Sequence, residues 1–203
     1  MVCGLNRRVL VAGAIITASA GHVIAQPVFQ GLGHLPGATP SSGAQRISRD
    51  GTTVVGYAGI PGGYEAFRWT QPAGMVGLGD FAGGHPDGSI ASSVSADGSV
   101  VVGFGTNDFQ YATAFRWTQA AGLVSLGDID ADPTTTSFSN DVSDDGTVIA
   151  IQAGFRGNGP GVFVGEAARW TLASGLTPLG HLTGGDYSFS AAVSADGSVI
   201  VGG

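Results

Sequence analysis

Short apolar runs bounded by glycine recur along residues 29–203. Ser99–Gly103 reads Ser-Val-Val-Val-Gly, a β-branched run that predicts a strand buried on both faces. Thr113–Thr118 alternates instead: Phe115 and Trp117 point one way, and Ala114, Arg116 and Thr118 the other, as period two requires. Ala91–Ser95 leads into Asp97-Gly98, a dipeptide whose ease at positive φ predicts a two-residue type I′ hairpin. Ala120-Ala121-Gly122 then turns the chain into Leu123–Gly127. The same four-strand layout recurs over Ile47–Gly79 and Val142–Gly180, and no segment beyond residue 25 sustains a 3.6-residue apolar period. The expected class is all-β.

The layout is a true repeat. Ser-x-Asp-Gly boxes begin at Ser48, Ser95, Ser143 and Ser194, and the pairs Asp50-Gly51, Asp97-Gly98, Asp145-Gly146 and Asp196-Gly197 give each its turn. Arg-Trp-Thr boxes lie at Arg68–Thr70, Arg116–Thr118 and Arg169–Thr171. Leu-Gly-Asp/His boxes begin at Leu32, Leu78, Leu126 and Leu179. Four antiparallel strands in each unit of about 48–53 residues match the size of a propeller blade. A β-solenoid is the alternative, although its coils are usually much shorter. On the propeller reading, Trp69, Trp117 and Trp170 fill the space between blades rather than stack on a ligand. The chain holds a leading Leu-Gly-His strand, three full repeats and half of a fourth. A closed ring needs about four blades or more, so the sequence reads as part of a longer gene product.

Met1–Ala25 reads as a secretory signal peptide. Arg7 and Arg8 precede the apolar run Val9–Ala20, and Val23-Ile24-Ala25 favours cleavage before Gln26. No transmembrane segment remains after it, and the repeat domain spans 26–203. The chain's one cysteine, Cys3, leaves with the leader, so the exported domain has no disulfide. Residues 26–203 carry six Arg, no Lys and 15 acidic residues. That balance argues against nucleic acid, which requires a basic face.

Glu65-Ala66-Phe67-Arg68-Trp69, Thr113-Ala114-Phe115-Arg116-Trp117 and Glu166-Ala167-Ala168-Arg169-Trp170, with the Gly-Met/Leu-Val-x-Leu-Gly-Asp stretches at Gly74–Asp80 and Gly122–Asp128, resemble the bacterial extracellular HAF repeats. The resemblance covers nearly all of residues 29–203 and departs at the His of the family's name, where Glu, Thr or Glu stands. It implies a secreted or surface protein and brings no catalytic or binding residue with it.

Candidate chemistry is sparse. No G-x-S-x-G elbow, Walker A loop, H-E-x-x-H pair or C-x-x-C occurs. His34 and His181 occupy the slot held by Asp80 and Asp128 in other repeats, and His85 sits in a unique Gly-Gly-His-Pro-Asp loop with nothing to place a nucleophile beside it. Asp128-x-Asp130-x-Asp132 imitates the start of an EF-hand but has Pro133 for the required Gly and Ser139 for the closing Glu, which leaves a weak Ca²⁺ candidate. Arg68, Arg116 and Arg169 read as structural partners within or between blades, with an anion-binding ring as the other reading. The sequence therefore points to a secreted, non-catalytic repeat protein without a cofactor. Its partner would be extracellular, with polysaccharide one candidate. The alternatives are a polysaccharide-acting enzyme using Asp128, Asp130, Asp132 and Asp141, or a fragment with no independent function.

Overall fold

The computed structural model describes residues 30–38, 40–81, 88–129, 134–157 and 163–203. The predicted signal peptide, His85, Asp130 and Asp132 lie outside them. Within the unit Leu32–Gly203, the described elements are all strands. The strands β1 (Ser42–Ile47), β2 (Thr53–Ile60), β3 (Gly63–Thr70) and β4 (Gly74–Gly77) form an antiparallel meander in chain order. The second sheet repeats it with β5 (Ser89–Val94), β6 (Val100–Thr106), β7 (Ala112–Thr118) and β8 (Gly122–Ser125). So does the third, with β9 (Thr136–Val142), β10 (Val148–Gly157), β11 (Phe163–Thr171) and β12 (Gly175–Pro178). A two-stranded sheet of β13 (Ser190–Val193) and β14 (Ile200–Gly202) follows. Each repeat is thus one blade of an unclosed propeller-like array. The first strand of each sheet packs on the first three strands of the sheet before it, which is blade stacking and not the coil of a solenoid.

Period-two alternation decides which neighbour each side chain meets. In the second blade Phe115, Val101 and Ala91 face backwards, onto Val55, Ala66 and Leu78 of the first. Val100, Val102 and Ala114 face forwards, onto Val142, Ile149, Ile151 and Ala168 of the third. The Val-Val-Val run is therefore buried on both sides. Trp69, Trp117 and Trp170 are half-buried, packed against the hydrophobic clusters. The third repeat's departure from Phe is compensated across the strands. Gly56 faces Phe67 and Gly103 faces Phe115, whereas Ile151 faces Ala168. A large and a small residue exchange places, and the volume between blades is kept.

The Ser-x-Asp-Gly turn differs from the expected type I′ pair. Type I′ needs positive φ at both central residues. Here the glycines adopt it, Gly51 at 74° and Gly98 at 71°, and none of the box aspartates does. Ser48 N donates to Thr53 O, so the hairpin loop holds four residues, closed inside by Gly51 N donating to Ser48 O. Side chains favour the longer loop. Ser48 Oγ donates to Asp50 Oδ1 at 2.6 Å, Thr52 N donates to the same oxygen, and Thr53 N donates to Ser48 Oγ. The other three boxes repeat these bonds.

Blades are clamped to one another by a further repeated residue. Ser89, six positions before a box serine, accepts from Ala66 N at 3.0 Å and donates to Gly79 O at 2.6 Å, both in the preceding blade. Ser137 does the same with Ala114 N and Gly127 O, and Ser188 with Ala167 N and Gly180 O. Ser42 donates to Gly33 O, so the leading Leu-Gly-His segment stands where the end of a preceding blade would be. The turns add a second ladder: Ala96 N donates to Asp144 O, and Asp144 N to Ala195 O.

Candidate functional site

The first strands β1, β5, β9 and β13 each carry a one-residue register irregularity just before the box, between Ala44 and Arg46, Ala91 and Ser93, Ser139 and Asp141, and Ser190 and Ala192. A bulge bends its strand and re-aims side chains. What it serves here is a cavity of about 430 Å³ on the inner side of the blades, a volume within the ordinary range of ligand sites. Four strands and their turns line it. The lining reads Arg46, Ser93 and Asp141 two positions before the box serine, and Arg49, Ala96, Asp144 and Ala195 one position after.

The box residues repeat in all four sheets, whereas these lining positions vary between repeats. The first blade contributes two guanidinium groups and the third two carboxylates. The second and fourth contribute small side chains. Arg49 Nη1 meets Asp144 Oδ2 at 2.6 Å and Arg46 Nη2 lies 3.5 Å from Asp141 Oδ1, so both ion pairs join the first blade to the third.

The two pairs differ in surroundings. Asp141 is 14% exposed, accepts from Ser93 Oγ at 2.7 Å through Oδ1 and from Val193 N at 3.0 Å through Oδ2, and so touches every blade. Arg49 and Asp144 are 68% and 34% exposed and hold each other alone at the mouth. Among the described residues the lining has donors, acceptors and no aromatic ring. It can bind a polar, hydroxyl-rich or charged group. The Ser93 hydroxyl is committed to Asp141, and among the described residues the lining holds no imidazole to act as its base.

Of the residues singled out from the sequence, Asp141 lines the cavity, while the box aspartates, Arg68, Asp128, His34 and His181 fall elsewhere. The aspartates of the boxes hold the turns. Hydrogen bonds from the Ser194 hydroxyl and the Ser198 amide lower the Asp196 carboxyl to about 2. Asp50 and Asp145 are held below their ordinary value first by Ser48 and Ser143, and Asp97 first by the Ser99 amide. Arg68 donates through Nε to Gly98 O of the next blade and through Nη2 to Thr53 Oγ1, so it is an interblade bond and not part of an axial ring. Asp128 Oδ1 accepts from Ile129 N and Gly154 N, a local cap outside the cavity. Its counterpart Asp80 accepts from Phe81 N, and burial pushes its carboxyl up. Among the described residues no three His, Cys, Asp or Glu side chains gather to hold a metal.

Glu65 and Glu166 cap Gly79 N and Gly180 N of the Leu-Gly turns. His34 Nδ1 lies 3.0 Å from Leu35 O, and His181 lines a smaller cavity of about 160 Å³ with Glu166 and Asp186, without a nucleophile. Arg46, Arg49, Asp144 and the clamp serines lie outside the recurring motifs read from the sequence. The signal for the first three is the opposite one, variation at a fixed offset from an invariant box.

No protein-family model and no curated protein matches the chain significantly. Solved structures do. The chain is similar to the putative TolB from Agrobacterium tumefaciens, at 18% identity and a TM-score of 0.53, over 81% of this chain and 54% of that one. TolB from Acinetobacter baumannii matches at 14% identity and a TM-score of 0.52, over 77% of this chain and 36% of that one. TolB is a β-propeller protein, and the likeness shows the fold. The chain spans about half and about a third of the lengths of these two neighbours. Among the described residues no helix is long and apolar enough to cross a membrane.

Proposed function

We propose that this chain is a secreted, HAF-type repeat protein that binds an extracellular or envelope partner in its inner cavity and catalyses no reaction. One observation carries the reading: the repeats hold their structural boxes constant and vary at the cavity wall, where Arg46 and Arg49 face Asp141 and Asp144. Opposed guanidinium and carboxylate groups offer fixed donors and acceptors to one ligand, and a hydroxyl-rich polysaccharide presents both kinds of partner. The predicted leader and the repeat resemblance support the location.

A glycan array probed with the exported protein tests the proposal. The expected result is retention of a polysaccharide class by the native protein and loss of it by Arg49→Ala. Equal retention by both proteins, or none by either, would sink the cavity as the site. Shortening of a retained glycan on incubation would overturn the non-catalytic reading.

A further inference from the structure

The loops between the second and third strands lie at the end of the blades away from the Ser-x-Asp-Gly turns, and so away from the inner cavity. In the second blade this loop is Asn107–Tyr111, since Thr106 pairs with Ala112. Its backbone is tied down. Asn107 Oδ1 accepts from Phe109 N at 2.9 Å and from Tyr111 N at 3.0 Å, Gln110 N donates to Asn107 O, and Asn107 N donates to Tyr111 O. Two aromatic side chains nevertheless stand in the open, Phe109 at 57% and Tyr111 at 38% exposure. Gln110 holds φ at 67°, and among the described residues no other side-chain-bearing residue has a positive φ. Glycine would adopt that conformation without strain, whereas glutamine bears the strain and keeps an exposed amide beside the two rings.

Gly88 joins this loop to the first blade. Its carbonyl accepts from Thr106 N and Thr106 Oγ1 at the base of the loop, and its backbone bridges Tyr64 in parallel. With φ at 76°, a Cβ on Gly88 would collide with Tyr64 O, so the two backbones meet as closely as glycine permits. Tyr64 is 45% exposed and stands edge-on to Tyr57, with ring centroids 5.2 Å apart. No part of this arrangement involves the fourth sheet.

We propose that Tyr64, Phe109 and Tyr111, with Asp108 and Gln110, form a second binding site, one for a neutral β-linked polysaccharide. A pyranose ring with equatorial hydroxyls has an apolar C–H face and a polar rim. The exposed rings match the face. The Gln110 amide and the exposed Asp108 carboxylate match the rim as donor and acceptor. Asp108 disfavours an acidic polymer, and Arg46, Arg49 and Arg68 all act at the opposite, turn end of the blades. Because the loop is already fixed by Asn107, little ordering entropy is lost on binding.

Calorimetric titration of cellohexaose into the full chain tests the assignment. The expected result is saturable binding, weakened at least fivefold by Phe109→Ala or Tyr111→Ala and lost in the double variant. Both rings are exposed, so these variants keep their fold, which an unchanged urea midpoint verifies. Gln110→Gly removes the amide while relieving the positive φ, and should weaken binding at least threefold with a midpoint close to the native one. Arg49→Ala, in the inner cavity, should leave cellohexaose binding unchanged, so the two sites fail separately. No binding of cellohexaose, equal binding by the double variant, loss of binding in Arg49→Ala, or tighter binding of an oligogalacturonate would overturn the proposal.

Discussion

Replacement of Ser137 by Ala tests whether the interblade clamp holds the stack together. Ser137 is 1% exposed, accepts from Ala114 N at 2.9 Å and donates to Gly127 O at 2.8 Å. The alanine methyl group can do neither. It leaves one amide and one carbonyl between the second and third blades without a partner, and a buried polar group stripped of its bond costs about 1–3 kcal/mol. For the pair the expected loss is about 2–4 kcal/mol, a large share of the roughly 5–15 kcal/mol available to a domain. With a urea dependence of about 2 kcal/mol per molar, the unfolding midpoint should fall by about 1–2 M. Tryptophan fluorescence reads it directly, since Trp170 packs into the cluster between these blades. Ser125→Ala is the control. Ser125 is exposed and accepts one 3.2 Å bond from Gly127 N, so the shift should stay within about 0.5 kcal/mol. A Ser137→Ala midpoint indistinguishable from that of the control would refute the clamp.

Gly146→Ala and Gly51→Ala share a box position and a φ near 73°, 72° and 74° respectively, but a Cβ on Gly146 would lie 2.5 Å from Val100 Cγ2 whereas one on Gly51 meets nothing within 4 Å. Gly51→Ala should cost about 1–2 kcal/mol of backbone strain, and Gly146→Ala about 1–3 kcal/mol more for the overlap, both read by urea unfolding; equal costs would mean the turn does not press on the preceding blade. The box aspartates have folded pKa values below their unfolded ones, so their contribution is present above about pH 4 and is lost as pH falls, for Asp196 through about 2. The thermal midpoint should therefore drop between pH 4 and pH 2, and Asp145→Asn should flatten that drop; an unaltered slope would contradict the assignment. Asp141→Ala removes the acceptor of Ser93 Oγ and Val193 N and should destabilise by about 2–4 kcal/mol, measured by the same unfolding curves, with a neutral outcome denying it the role of hub.

What could be read in the sequence was whatever each blade needs in the same place. The Val-Val-Val run, the alternation around Trp117 and the Ser-x-Asp-Gly box recur because every blade must bury two faces and close the same turn. The turn departs from type I′ for a local reason: Asp97-Gly98 looks like a two-residue loop until the Ser95 hydroxyl binds the aspartate and enlarges it to four. The Asp128 series looked like the start of a metal loop because the Leu-Gly-Asp box supplies its first carboxylate, which the backbone of Ile129 and Gly154 already engages. Ser89, Ser137 and Ser188 recur six positions before a box serine, but a lone serine at a fixed offset shows its clamping role only once the blades are stacked. Arg46, Arg49 and Asp144 carry no recurring motif because their positions vary between repeats.

That difference also separates structural from ligand-facing charge within the cavity. Asp141 is nearly buried and takes bonds from the second and fourth blades besides its approach to Arg46, so displacing it would strand a hydroxyl and an amide. The Arg49–Asp144 pair is exposed, and such pairs contribute about 0–1 kcal/mol. An incoming hydroxyl or anion can take Asp144's place on the Arg49 guanidinium at almost no expense to the fold. On the proposed function, binding specificity belongs to the turn layer and blade registration to the layer beneath. Arg49→Ala should therefore leave the urea midpoint within about 0.5 kcal/mol of the native value while abolishing ligand retention. Loss of both together would place Arg49 among the structural residues and return the cavity mouth to the scaffold.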